Sequence, residues 1–260
     1  GFIPIAIDVH ALYPWAHDTA NNAHALWRSP LAFILRAVVS LAIPIVVVTL
    51  LDARRGRRSG ALGAVGLIVL FIGETNAAID WFMAMSPHFE STVFPAIVLA
   101  SGMTSALALA ALLAPRRTID EGADLATMLF AGLMFWGYVS YAQLIVVWIA
   151  NIPREVGFYV DRVDNGFTPI AVALVGAALF ASLFALLFRA VKEKRALVVF
   201  AGAWVLVGQL VDAVWWIGPS TSAAPTSTLA YVVGLVIALV VGALVVTLLV
   251  RRSQLATRSR

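Results

Sequence analysis

Seven stretches of this chain run for about 20 residues with almost no charge, the length needed to cross a hydrocarbon layer about 30 Å thick. The last, STLAYVVGLVIALVVGALVVTLLV (227–250), holds no acidic or basic side chain at all. The others cover about 29–51, 60–82, 92–114, 122–151, 168–190 and 196–218. Backbone polar groups in lipid must be satisfied within their own segment, so such runs read as helices. Composition agrees: 62% of residues are hydrophobic and 12% charged, against about 25% charged in soluble domains. The expected fold class is an all-α integral membrane protein of about seven transmembrane helices. Residues 1–28 form an N-terminal segment, 29–250 the transmembrane helical bundle and 251–260 a basic tail. The fourth run is long enough to tilt or to extend past the lipid.

The connections alternate in charge. Arg54, Arg55, Arg57 and Arg58 follow the first run, and Arg116 and Arg117 the third. Arg189, Lys192, Lys194 and Arg195 follow the fifth; Arg251, Arg252, Arg258 and Arg260 follow the seventh. These are 14 of the 18 lysines and arginines, all on one side. The positive-inside rule makes that side, with the C-terminus, cytoplasmic. Residues 1–28, 83–91, 152–167 and 219–226 then face outward, which in a bacterial inner membrane is the periplasm. Trp15, Trp27, Trp81, Trp148, Trp215 and Trp216 fall near the outer interface, where amphipathic rings are favoured. The partner this composition requires is lipid, and nothing in it suggests nucleic acid.

Ionisable groups inside a span need a pairing partner, water or a function. At 1.5 Å per residue, Arg36 lies roughly 10 Å below the outer surface, with Asp212 and Glu74 at similar depth and Asp80 shallower. Gln143 and Gln209 occupy comparable levels. The outer third of the bundle therefore gathers polar groups above an aliphatic inner half. In one reading Arg36 pairs with Asp212, Glu74 or Asp80, and the rest cap helices. In the other, these carboxylates and His88 form a proton route or a polar pocket. Glu74, in the string G-E-T-N with no basic residue within a turn, favours the second. Burial without a partner raises a carboxyl pKa, as a relay near neutral pH requires.

Several chemistries are excluded. No cysteine is present, which removes disulfides, thiolate metal sites and cysteine-ligated clusters. A retinal Schiff base needs a buried lysine, but Lys192 and Lys194 lie in a loop. A di-haem cytochrome b needs histidines facing each other within helices; His10, His17, His24 and His88 all lie outside the runs. The first three are spaced by seven, yet Pro14 interrupts any helix that would align them, so they read as surface histidines. No nucleotide-binding or hydrolase motif is found. Residues 1–28 also lack the apolar core of a secretory signal.

Two strings carry a family likeness. N-A-A-I-D-W-F-M-A-M-S-P-H-F-E-S-T (76–92) resembles the D-W-x-M-S-L-x-P-x-W-x-S-T signature of the ActF-type membrane subunit of bacterial alternative complex III, which is related to NrfD and polysulfide-reductase subunits. F-W-G-Y-V-S-Y-A-Q-L-I-V-V-W-I-A-N-I-P-R-E (135–155) is similar to the family's F-W-x-Y-x-x-F-x-Q-x-L-x-I-W-x-x-N-L-P-E-E. Shorter echoes, L-Y-P-W (12–15), F-I-L-R (33–36), Asp124-Leu125 and L-V-D-A-V-W-W-I-G-P (210–219), follow in family order. Departures are Arg154 for the first glutamate of N-L-P-E-E, leaving Glu155, and Phe89 for a tryptophan. The fifth run also lacks a His-Phe-x-x-Pro-Phe element. Family members carry further helices ahead of L-Y-P-W, so the resemblance implies either a truncated start or a reduced relative.

The resemblance implies an NrfD-like helical bundle and an accessory, non-catalytic subunit of a quinol:cytochrome c oxidoreductase. It implies that this chain has no redox cofactor of its own. Haem c would reside in a multihaem cytochrome, iron–sulfur clusters in a partner protein, and quinol nearby at a sister NrfD-like subunit. Scaffolding and proton conduction are the implied roles. Glu74, Asp80, His88, Glu155 and Asp212 are then the proton-path candidates, and Arg36 and Gln143 balance or orient them. A stand-alone quinone-binding or ion-transporting membrane protein is the alternative.

Overall fold

The computed structural model describes residues 13, 29–54, 60–86, 89–113, 119–163, 168–217 and 236, with the side chains of 119 and 154 excepted. In chain order the elements are α1 (Pro30–Ala53), α2 (Gly60–Ala77), α3 (Phe94–Leu113), α4 (Ile119–Ala150), α5 (Pro153–Val163), α6 (Thr168–Leu187), the single turn α7 (Arg189–Lys192) and α8 (Arg195–Ile217). A π-helical turn, Ala78–Phe82, and a 3-10 turn, Met83–Met85, prolong α2. No strand occurs among the described residues. Six of these helical stretches are long and apolar enough to cross a membrane. Their outward faces carry large apolar groups, such as Ile149 at 77% exposure, which water would penalise and lipid tails accept. The chain is an all-helical, multi-pass membrane protein. The seventh run lies outside the described residues apart from Val236, which is helical. Also outside them are residues 1–28 other than Tyr13, the tail 251–260, and His88.

Local sequence sets the helix ends. Ser29 caps α1 by accepting from the Ala32 amide at 3.2 Å, and Pro30 follows where no amide is needed. Ser91 accepts from the amides of Val93 and Phe94 at 3.2 and 3.1 Å, opening α3. At the far end of α4, Asn151 takes φ 46°, a conformation asparagine tolerates, and its amide bonds Val147 O at 3.0 Å. Pro153 then begins α5. The sequence A-N-I-P is thus a stop followed two residues later by a start. That start was not expected: 152–167 reads as an external loop, whereas 153–163 folds into an amphipathic helix.

The described chain gathers into two compact units. The first contains α1, α2 with its extension, the turn leading into α3, and residues 153–158. Here α1 and α2 run antiparallel: a Cβ on Gly66 would lie 2.9 Å from Val47 Cγ1, and one on Gly73 2.9 Å from Ile43 Cδ1. Such small-residue approaches are how helices associate where no hydrophobic gain separates protein from lipid. Phe89 is buried, stacked 3.9 Å from the Phe158 ring and edge-on to Phe94 at 5.4 Å.

The second unit holds residues 100–152 and 159–217. Its core is built of Ala108 and Ala111 on α3, Leu125, Ala126, Leu129 and Leu133 on α4, Leu186 on α6, and Val198, Ala201 and Val205 on α8. The closest seam joins α6 to α8, where a Cβ on Gly208 would sit 2.5 Å from Ala178 Cβ. Gly208→Ala must therefore push α6 and α8 apart and lower the detergent-solubilised melting temperature, at a cost of about 1–3 kcal/mol. Gly176→Ala, with nothing within 4 Å of its added methyl, is expected to be neutral or to gain about 0.5–1 kcal/mol. Thermal unfolding followed by tryptophan fluorescence separates the two variants.

Candidate functional site

In the first unit, polar groups meet at the end bearing Trp81. Arg36 Nε donates to Asp80 Oδ2 at 2.6 Å, and Nη2 donates to Oδ1 at 3.2 Å. This two-pronged fit is the geometry in which arginine holds a carboxylate most firmly. The side chains are 15% and 9% exposed. Asn76 Nδ2 adds a longer contact to Oδ2 at 3.5 Å. Asp80 lies within the π-helical turn, whose extra residue re-phases the helix, a device frequent at functional sites. Asp80 was expected to be shallower than Arg36, but the pair places them level, because α2 continues to Met85. Tyr13 is buried beside this pair: its hydroxyl donates to Trp81 O at 3.2 Å, and its ring lies 4.9 Å from Phe33. Burial, and then the negative charge of Asp80, hold its phenol above the ordinary range.

A second polar group forms in the other unit, where α5 meets the ends of α6 and α8. Arg162 is 2% exposed, and its Nη2 donates to Trp216 O at 2.7 Å. The last carbonyls of a helix have no partner within it, and a cation there also meets the negative end of the helix dipole. Arg162 thus caps α8. Its guanidinium lies 5.7 Å from the centre of the Trp215 ring, near enough for a cation–π attraction. Thr168, the first residue of α6, donates to Arg162 O and accepts from Trp215 Nε1 at 3.0 Å. One turn before Arg162, Tyr159 packs against Trp215 and Trp216 at 6.1 and 6.3 Å.

Gln143 and Asp212 join this group. Gln143 is buried and bonds the Tyr159 hydroxyl. Burial pushes the phenol up to about 12; the Arg162 charge and the Gln143 bond oppose the rise, and Asp212 adds to it. Asp212 is half-buried and accepts from Trp216 Nε1 at 3.2 Å. It makes no ion pair with any described residue. Deeper in the same unit, Ser101 Oγ donates to Gln209 Oε1 at 2.5 Å. Trp136 Nε1 and Ser140 Oγ, on the α4 face that carries Gln143, are buried without a partner among the described residues, as are Thr104 Oγ1 and Ser182 Oγ. Buried polar atoms of this kind are where ordered water is expected.

The structure brings together some of the expected residues and separates others. Arg36 meets Asp80, and Gln143 and Asp212 share Tyr159 as a neighbour. Glu155 is half-buried in the first turn of α5, where the helix dipole favours a carboxylate. His88 lies outside the described residues. Glu74 corrects the sequence-based expectation of a buried carboxylate: it is exposed on α2 and makes no hydrogen bond or ion pair with any described residue. Its neighbours at helical spacing, Leu67 and Phe71, are exposed too, because this side of α2 is turned away from the seam with α1.

Arg162, Tyr159 and Thr168 escaped the sequence reading. The available signal was the periodicity of 153–163, in which buried Phe158 and Arg162 stand four residues apart with Val160, Asp161 and Val163 exposed. Among the described residues, no cluster of three or more histidine, cysteine, aspartate or glutamate side chains is arranged to hold a metal ion. No family model matches the chain, and no curated protein matches it.

Asp80→Ala removes the carboxylate that holds the Arg36 guanidinium with two bonds, a loss that costs about 3–5 kcal/mol where such pairs are buried. Arg36→Leu combined with Asp80→Leu should cost clearly less than the two single changes added together. A double-mutant cycle on unfolding of the solubilised protein measures the difference.

Proposed function

We propose that this chain is a cofactor-free membrane subunit of a quinol-oxidising complex of the alternative complex III type, and that its polar groups at the tryptophan-rich helix ends handle protons. The observation that supports this best is the setting of Asp212. It is a carboxylate near Tyr159, which Gln143 bonds, held by one indole N–H and in no ion pair with any described residue. A carboxylate so placed is held less firmly than Asp80, which Arg36 holds with two bonds. The buried side chains of Trp136, Ser140 and Gln143 on α4, together with Gln209 and Asp212 on α8, supply donors and acceptors through which water can pass a proton. The likeness of residues 76–92 and 135–155 to the ActF-type pattern gives the reaction class.

In this reading the chain moves no electrons. Haem c and iron–sulfur clusters belong to partner subunits, quinol is oxidised at a sister NrfD-like subunit, and this chain holds the assembly and carries protons away. The basic connections face the cytoplasm and the tryptophan-rich ends face the periplasm of a bacterial inner membrane.

Affinity purification of the tagged chain in mild detergent should bring with it the absorbance of haem c and an iron–sulfur signal, with acceptor reduction driven by added quinol. A lone chain that binds quinone or transports ions by itself would contradict the proposal and favour the stand-alone alternative. Orientation has its own check, since the native chain contains no cysteine. Glu90→Cys should react with an impermeant maleimide from the periplasmic side, and Lys194→Cys only after permeabilisation. The reverse pattern would overturn the assignment.

A further inference from the structure

Glu74 sits well inside the span that runs from Gly60 to Met85. At 1.5 Å per residue it lies about 21 Å from the first end and about 17 Å from the second. It follows Gly73, whose backbone faces Ile43 of α1, and each residue turns a helix by about 100°. Its side chain is therefore turned about 100° from the direction of α1 and is exposed. Leu67 and Phe71, seven and three residues earlier on that face, are 70% and 53% exposed, and Ala64 is exposed as well. Glu74 has no hydrogen bond or ion pair among the described residues. A carboxylate on an open apolar face at this depth is costly in lipid, and such groups pair with an opposite charge or face a polar interior.

Among the described residues nothing pairs with it. Arg36 is the only lysine or arginine in the interior of the described spans, and Asp80 holds it through two bonds. The run 227–250 contains no lysine or arginine. A second copy of the chain therefore supplies no free cation at this level, and a symmetric pairing through this face would bring two glutamates together. We propose that the Ala64–Leu67–Phe71–Glu74 face of α2 docks a transmembrane helix of a different polypeptide, one that presents an arginine or lysine to Glu74. The inference rests on the chain working within a larger assembly, but not on what that assembly oxidises.

The test uses the tagged chain in its native membrane. Glu74→Leu is the informative variant, because leucine enters lipid more easily than glutamate and so inserts at least as well. Docking through a charge pair predicts that assembled complex falls by about tenfold or more, while the melting temperature of the isolated chain holds or rises. A photo-reactive phenylalanine analogue at position 71 should crosslink to a membrane helix of another protein, one with an arginine or lysine near the linked site. Changing that cation to glutamate should abolish assembly, and adding Glu74→Lys should restore it. Crosslinks to lipid alone, to a second copy of this chain, or to a helix without a cation would each overturn the proposal. So would wild-type assembly by Glu74→Leu. If the docking stands and the purified assembly fails to oxidise quinol, only the proposed reaction is lost. If quinol is oxidised while position 71 meets only lipid, only the docking is lost.

Discussion

A charge in hydrocarbon must find its opposite, and the Arg36–Asp80 pair is where this chain obeys that rule most plainly. The two residues are separated by 44 positions in sequence and belong to helices held in antiparallel register by Gly66 against Val47 and Gly73 against Ile43. The pair fixes the last third of that seam, and the π-helical turn supplies the phase that brings Asp80 into it. It also assigns the one in-span cation among the described helices. Every other carboxylate at depth must be answered by dipoles, by water or by another protein.

The second unit meets the same constraint by different means. Its charged members stand at the helix ends, where Arg162 satisfies the terminal carbonyls of α8, and Tyr159, Trp215 and Trp216 wrap the site in apolar ring surface that still offers hydrogen bonds. Asp212 shares this enclosure without sharing the cation. Arginine bound to a helix terminus and a carboxylate bound to an indole are different situations: the first satisfies backbone carbonyls, the second is held by one ring N–H.

How much of this was legible in the sequence follows from the physics of each feature. Spans were readable because lipid demands about 20 apolar residues whatever the neighbours. The six described helices accordingly begin and end within a few residues of the apolar runs. The pairing of Arg36 was narrowed to three carboxylates, but choosing Asp80 needed the glycine register and the length of α2, which hydropathy does not encode. Burial of Glu74 was expected from its depth. Depth says nothing about which side of a helix faces protein, and in lipid both sides are equally apolar, so the usual amphipathic clue is missing. In α5 the clue was present: its alternation of exposed and buried residues is that of a helix lying at an interface, and the short polar segment was read as loop.

The central claim is that Asp212, in no ion pair with any described residue and near Tyr159, passes protons in the proposed assembly, whose electrons travel elsewhere. The most direct measurement is proton release per quinol oxidised, in vesicles containing the purified complex, with wild-type chain or Asp212→Asn at equal assembly. The account predicts that the asparagine variant keeps its complement of partners and their cofactors, while proton release and turnover fall together. Unchanged proton release and turnover would contradict it.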